Sequence, residues 1–121
     1  MKLREIKIKI ESMEESGKKF VEVYNKLKRG EKVEKQEYLS FESIGMLRKI
    51  ITNERLRLMR LIRTKKPKTI YELAKIAERP YPNVFNDVKK LEELGLIGLE
   101  KENNCMAPVA KYGQLNIAIA V

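Results

Sequence analysis

Isoleucines at 6, 8 and 10 alternate with charged residues across LREIKIKI (3–10), the period-two pattern of a strand with one wet face. Ser12 and Glu15 then stand at the spacing of a capping box, which predicts a helix running to about Arg29 with Gly30 as its stop. Met13, Phe20, Tyr24 and Leu27 form a narrow apolar stripe on that helix, widened by Val21 and Val23. A stripe of that width suits packing on its own domain or against the same helix of a second copy. Ile6, Ile8, Phe20, Tyr24 and Leu27 are therefore the expected dimer contacts.

Residues 31–37, EKVEKQE, are charged and unpatterned and read as a solvated connector. They separate an N-terminal strand–helix extension, 1–37, from a main domain, 38–121. Tyr38–Phe41 is expected as a short strand. Ser40 is the expected cap of a helix through about Ile51, with Ile44, Leu47 and Ile51 buried. Thr52 is the next cap, and it starts a helix over Asn53–Thr64 with Leu56, Met59 and Ile62 inward. Leu58 and Leu61 widen its apolar side, so this helix should lie between two others.

From Thr69 to Gly95 the chain reads as helix, tight turn, helix. Thr69 and Glu72 form a second T-x-x-E capping box, after which Ile70, Leu73, Ile76 and Ala77 recur at helical spacing. Pro80 cannot sit inside a helix, and Pro82 is expected to push Tyr81 into an extended conformation and to open the next helix. Val84, Val88, Leu91 and Leu94 give that helix its buried face, with Gly95 as a left-handed cap. A strand at Leu96–Glu100, a turn at Asn103-Asn104 and a returning strand at Cys105–Val109 follow. Leu115, Ile117, Ile119 and Val121 alternate with small or polar residues. Pairing of this last strand with the first, within a chain or across a dimer, should bury both apolar faces.

Composition narrows the chemistry. The 121 residues carry 26 Lys+Arg against 17 Asp+Glu, a net charge of +9, which favours an anionic partner, either nucleic acid or an acidic membrane surface, without choosing between them. There is no His, one Asp (Asp87) and one Cys (Cys105), which argues against His-based acid–base catalysis, nucleophile triads and His/Cys metal sites. No catalytic residue, cofactor or metal is expected, and the chain reads as a non-enzyme. A lone cysteine fits a reducing compartment, and no apolar run approaches membrane-spanning length. The expectation is a cytoplasmic protein with no membrane partner.

Charge is concentrated in one place. Between Arg48 and Lys68 stand nine bases and one acid, Glu54, and this run leads into the amino end of the helix at Thr69. Such an end, with free N–H groups and a positive helix pole, attracts phosphate. Lys65, Lys66, Lys68 and Thr69 are thus expected to position a nucleic-acid backbone. On the second helix of the pair, Tyr81, Asn83, Asn86 and Lys90 fall on the face opposite Val84, Val88 and Leu91, with Phe85, Asp87 and Lys89 on its flanks. Asn can read adenine through two hydrogen bonds, and Lys donates to guanine or phosphate. Phe85 has two readings, an exposed ring against thymine methyl groups or packing in the core or along the helix flank, and the second is the expectation. Lys101 and Asn103, at the hairpin tip, complete the candidate DNA contacts, to which Lys89 is added from the flank.

The run from about Phe41 to Val121 resembles winged-helix transcriptional regulators of archaea and bacteria in the broad MarR/ArsR-like superfamily. The resemblance rests on NV-x-x-DVKKLEELGLI (83–97), within ITNERLRLMRLIRTKKPKTIYELAKIAERPYPNVFNDVKKLEELGLIGLE, and on APVAKYGQLNIAIAV at the end. It implies an α+β winged helix-turn-helix, here with an N-terminal strand–helix extension and a C-terminal strand. It also implies double-stranded DNA as ligand, a homodimer, Pro82–Leu94 in the major groove and the hairpin beside it. Some relatives look like antitoxins, which implies a toxin protein as an alternative partner. Relatives often carry Arg where this chain has Asn86, and a more basic hairpin tip.

Overall fold

The computed structural model describes residues 3–31 and 38–121. Among these the chain is a mixed α and β protein of five helices and five strands. In order they are β1 (Arg4–Ile10), α1 (Met13–Lys28), β2 (Tyr38–Phe41), α2 (Ile44–Ile50) and α3 (Asn53–Lys65). Then come α4 (Ile70–Ala77), α5 (Tyr81–Glu93), β3 (Ile97–Glu102), β4 (Cys105–Ala110) and β5 (Tyr112–Ile119). They gather into two compact units. One is the described part of Met1–Glu5 with Ile51–Gln114, the other the described part of Ile6–Ile50 with Leu115–Val121. Apart from Glu31, the expected connector 31–37, which ends at the expected domain boundary, lies outside the described residues.

In the first unit α3 packs against α4, α5 and β4. Its start is set as expected, the Thr52 hydroxyl accepting from the Arg55 N–H at 3.2 Å. The centre of its buried face is Leu58 and Ile62, while Leu56, Met59 and Leu61 are half-buried. A helix with neighbours on several sides buries the middle of its apolar sector most deeply. Lys66, left-handed at φ 49°, ends α3.

The α4 cap departs from the expected box. The Thr69 hydroxyl accepts from the Glu72 N–H at 2.9 Å, but the Glu72 carboxylate accepts from the Lys68 N–H at 3.1 Å, one residue further out. Glu78, left-handed at φ 56°, closes α4. Tyr81 is not extended. It is the first residue of α5, and the extended residue is Pro80 (φ −57°, ψ 137°). Pro82 fits the second helical position because first-turn N–H groups lack helical partners anyway, and this outweighs the bias against a helical residue before proline. Gly95 adopts φ +77°, the left-handed stop expected of it. Leu58, Leu73, Val84, Val88, Leu91, Leu96 and Ile97 are fully buried and form the core of this unit.

β3 and β4 form an antiparallel hairpin in which Glu102 pairs with Cys105, leaving Asn103 and Asn104 as a two-residue loop. Both asparagines have positive φ, 49° and 65°, the requirement of the type I′ turn that matches strand twist.

The second unit carries a three-stranded sheet in the order β2-β1-β5. β2 runs parallel to β1, with Lys7 opposite Tyr38 and Ile10 opposite Phe41. A parallel neighbour needs a crossover, and α1 lies within it. Its capping box is complete: Glu15 N–H to Ser12 Oγ at 3.2 Å and Ser12 N–H to Glu15 Oε2 at 3.4 Å. Arg29 is its carboxy cap and Gly30 follows at φ +76°. Glu11, buried at the join of β1 and α1, accepts from the Ser16 hydroxyl and the Lys19 ammonium. The Lys19 hydrogen bond holds the Glu11 carboxyl below its ordinary range, and the same bond raises Lys19.

Four expectations for this unit need correction. α2 is capped by Ser43, whose hydroxyl accepts from the Met46 N–H at 3.1 Å; Ser40 is instead a strand residue opposite Lys9. Ile44 is exposed, so the inward face of α2 narrows to Leu47. Ile6 and Ile8 are buried within the single chain and have no surface left for a second copy. Ile117 and Ile119, expected to be covered by strand pairing, are about half exposed. β5 does lie beside β1, but hydrogen bonding to a neighbour covers a strand's edge and leaves both of its faces to be covered by something else. The stripe on α1 stands open at Phe20, Val21, Val23, Tyr24 and Leu27; the side chain of Met13 lies outside the described residues.

Candidate nucleic-acid interface

The candidate interface is built on α4, α5 and the end of α3. α4 and α5 pack together, and the buried residues Val84, Val88 and Leu91 turn Tyr81, Asn83 and Asn86 to solvent. Lys89 and Lys90 are half-buried. At the amino end of α5 three rings form a ridge. Tyr71 and Tyr81 lie 6.3 Å apart and Tyr81 and Phe85 5.9 Å apart, centre to centre, both tilted. The Lys75 ammonium sits 4.7 Å from the centre of the Tyr71 ring. Phe85 packs along this ridge and does not enter the core, remaining 37% exposed. The sequence reading missed Tyr71 and Lys75. Their one-turn spacing, off the Ile70–Leu73–Ala74–Ala77 face, was the signal available.

A set of ion pairs fixes how this face is presented. Asp87, on α5, accepts from Arg55 Nε at 3.0 Å and from Arg79 Nη1 at 2.9 Å. Arg79 also lies 3.5 Å from Glu54, which pairs with Arg57 at 3.1 Å. Arg57 donates in addition to the Ala77 carbonyl at 2.8 Å, closing the end of α4. The Asp87, Arg55 and Arg79 side chains are 16–21% exposed, so water screens them only partly. The chain's one aspartate therefore ties α3, the turn and α5 together, and Arg55 and Arg57 are committed to this frame.

Arg60, Arg63, Lys65, Lys66 and Lys68 are exposed and make no ion pair among the described residues. Thr69 is half-buried, and its hydroxyl serves its own helix, as does the Glu72 carboxylate. The Glu72 and Lys68 N–H groups are thus satisfied from within, and the bases around the helix end hold the positive charge. Arg63, Lys66 and Lys68 line an open groove of about 750 Å³ together with Glu100 and Glu102 of β3 and with Ile62, Pro67 and Pro108. Lys101 and Asn103 stand exposed at the hairpin tip. The structure brings Lys66 and Lys68 together with the hairpin, and Tyr81 together with α4.

No three His, Cys, Asp or Glu side chains gather in a metal-binding arrangement among the described residues. Nor is any described helix long and apolar enough to cross a membrane. No curated protein matches this chain. The model of the HVO_A0114 family matches residues 50–117, more than half of the sequence, spanning α3, α4, α5, the hairpin and most of β5. On that match the chain belongs to the HVO_A0114 family.

Proposed function

We propose that this protein is a winged-helix regulator of transcription that binds double-stranded DNA with sequence preference, as a homodimer in the cytoplasm. The observation that carries the reading is the exposed amino half of α5, uncharged and clamped in place by Asp87, close in sequence to a run of unpaired bases. In this reading α5 enters the major groove and the β3–β4 hairpin is the wing. Asn83 and Asn86 contact base edges, Tyr81 and Phe85 offer rings to thymine methyl groups, and Lys89 and Lys90 meet bases or phosphates nearby. Lys65, Lys66 and Lys68 supply sequence-independent affinity, and Lys101 and Asn103 touch the backbone from the wing.

Selection from a random duplex pool, followed by titration of the enriched sequence, tests this. Replacing Lys65, Lys66 and Lys68 with Ala is expected to weaken all duplexes alike, by about tenfold or more at moderate salt. Replacing Asn83 or Asn86 with Ala is expected to cost roughly 1–3 kcal/mol of discrimination at one base pair and little on random duplex. A pool that enriches no sequence overturns the reading. A second reading, a protein-interaction module of antitoxin type, is favoured by the open apolar stripe on α1, which needs a partner of some kind.

A further inference from the structure

The helix α1 is amphipathic, sixteen residues long and capped at its amino end by a complete box. Yet no described side chain from Glu14 to Lys28 is buried. Phe20 is 72% exposed, Leu27 61% and Tyr24 57%, values out of keeping with the cost of wetting such side chains. The helix also lies outside the segment that the HVO_A0114 family shares. Its occupant must therefore be sought in the sequence of α1 itself.

Gly17 and Tyr24 are one heptad apart, as are Phe20 and Leu27, and the two pairs interleave as the a and d positions of a coiled-coil seam. Glu14, Val21 and Lys28 then fall on one shoulder of the seam, Ser16 and Val23 on the other. This order is self-complementary when reversed. In an antiparallel pair a faces d, so Tyr24 lies on the partner's Phe20. Leu27 lies over the partner's Gly17, where a Cβ would meet nothing within 4 Å and a leucine has room. On the shoulder, Val21 meets the partner's Val21 across the two-fold axis, and Glu14 stands opposite the partner's Lys28. The present contact of Glu14 is an exposed 3.8 Å pair with Lys18, loose enough to be exchanged. A parallel pair would instead set Glu14 and Glu15 beside their own copies and Lys26, Lys28 and Arg29 beside theirs. It would also align two helix dipoles head to head.

We propose that α1 is the self-association surface of this protein, pairing antiparallel with α1 of a second copy about an axis near Val21–Val23. The inference does not depend on DNA binding. The seam is only two heptads long, so the dimer exchanges with monomer as concentration changes.

Sedimentation of the full chain in a Cys105→Ser background tests it. A reversible monomer–dimer equilibrium is expected. Phe20→Gln and Leu27→Gln should each raise the dissociation constant about tenfold or more, with circular dichroism showing the folded chain retained. Glu14→Lys and Lys28→Glu should each weaken the dimer, and their combination should restore it. Chains bearing Phe20→Cys mixed with chains bearing Tyr24→Cys should form a disulfide-linked pair, each alone linking poorly. Phe20→Cys chains linking to one another as readily as to Tyr24→Cys chains would overturn the antiparallel arrangement. A chain still monomeric at about 1 mM, or a dimer indifferent to both Gln variants, overturns the proposal. So does a one-to-one complex in which a different protein covers α1.

Discussion

Asp87 shows what a single residue can hold that no local pattern announces. Its partners stand 32 and 8 positions away in the sequence, and only the fold brings them within hydrogen-bond distance. The periodicity of Val84, Val88 and Leu91 revealed the buried side of α5, because burial repeats with the helix turn. It left Asp87 as one more flanking charge. Replacing it with Ala would take one acceptor from each of two guanidinium groups in a half-screened site. The expected loss is about 1–3 kcal/mol of stability, discounted from a fully buried pair for its residual exposure. Urea denaturation of Asp87→Ala measures it; a loss near zero would mean that Arg55 and Arg79 reach water with no penalty. Asp87→Asn, which keeps one acceptor and turns an NH2 donor toward the other guanidinium, should fall between.

At the scale of elements, ends were more legible than faces. Ser12, Thr52, Gly30, Gly95 and the Asn103-Asn104 turn all act where local chemistry places them, since caps and turns are decided within a few residues. Ser40 and Ser43 were equally good caps by local rules. What separated them was β1, which takes Ser40 into a strand and leaves Ser43 to α2. Alternation in Leu115–Val121 likewise pointed to an apolar face, but the pairing expected to cover it leaves Ile117 and Ile119 half exposed. The join of β1 and α1 gives a pH test. The Glu11 carboxyl lies below its ordinary value of 4.5 because Lys19 donates to it. A depressed acid stabilises the fold above its unfolded value, and that contribution is lost as pH falls through the folded one. Thermal midpoints measured from about pH 6 down to about pH 2 should therefore decline less steeply in Glu11→Gln than in the parent. Equal slopes would show that Glu11 carries no share of the acid response.

For the whole molecule, the 26 Lys and Arg overstate the positive charge free to meet a ligand. Asp87 and Glu54 offset two of the three charges on Arg55, Arg57 and Arg79, and Glu100 and Glu102 line the same groove as Lys66 and Lys68. The bases left for phosphate are mainly Arg60, Arg63, Lys65, Lys66 and Lys68. If three to five of them engage, the logarithm of DNA affinity should fall against the logarithm of salt with a slope of about −2.7 to −4.5. Fluorescence anisotropy at several salt concentrations measures it. Each lysine removed should flatten the slope by about one. A slope indistinguishable from zero would remove DNA from the reading altogether. Sequence alone located this charge but could not sort it, because pairing depends on contacts between α3, the turn and α5.

The frame of Asp87, Arg55 and Arg79 also bears on kinetics. A face already held in one geometry needs little ordering when it meets its ligand, so encounter is governed by diffusion and orientation. Variants at Asn83 or Asn86 should consequently alter how long a complex lasts more than how fast it forms. Loosening the frame at Asp87 would slow the forming itself.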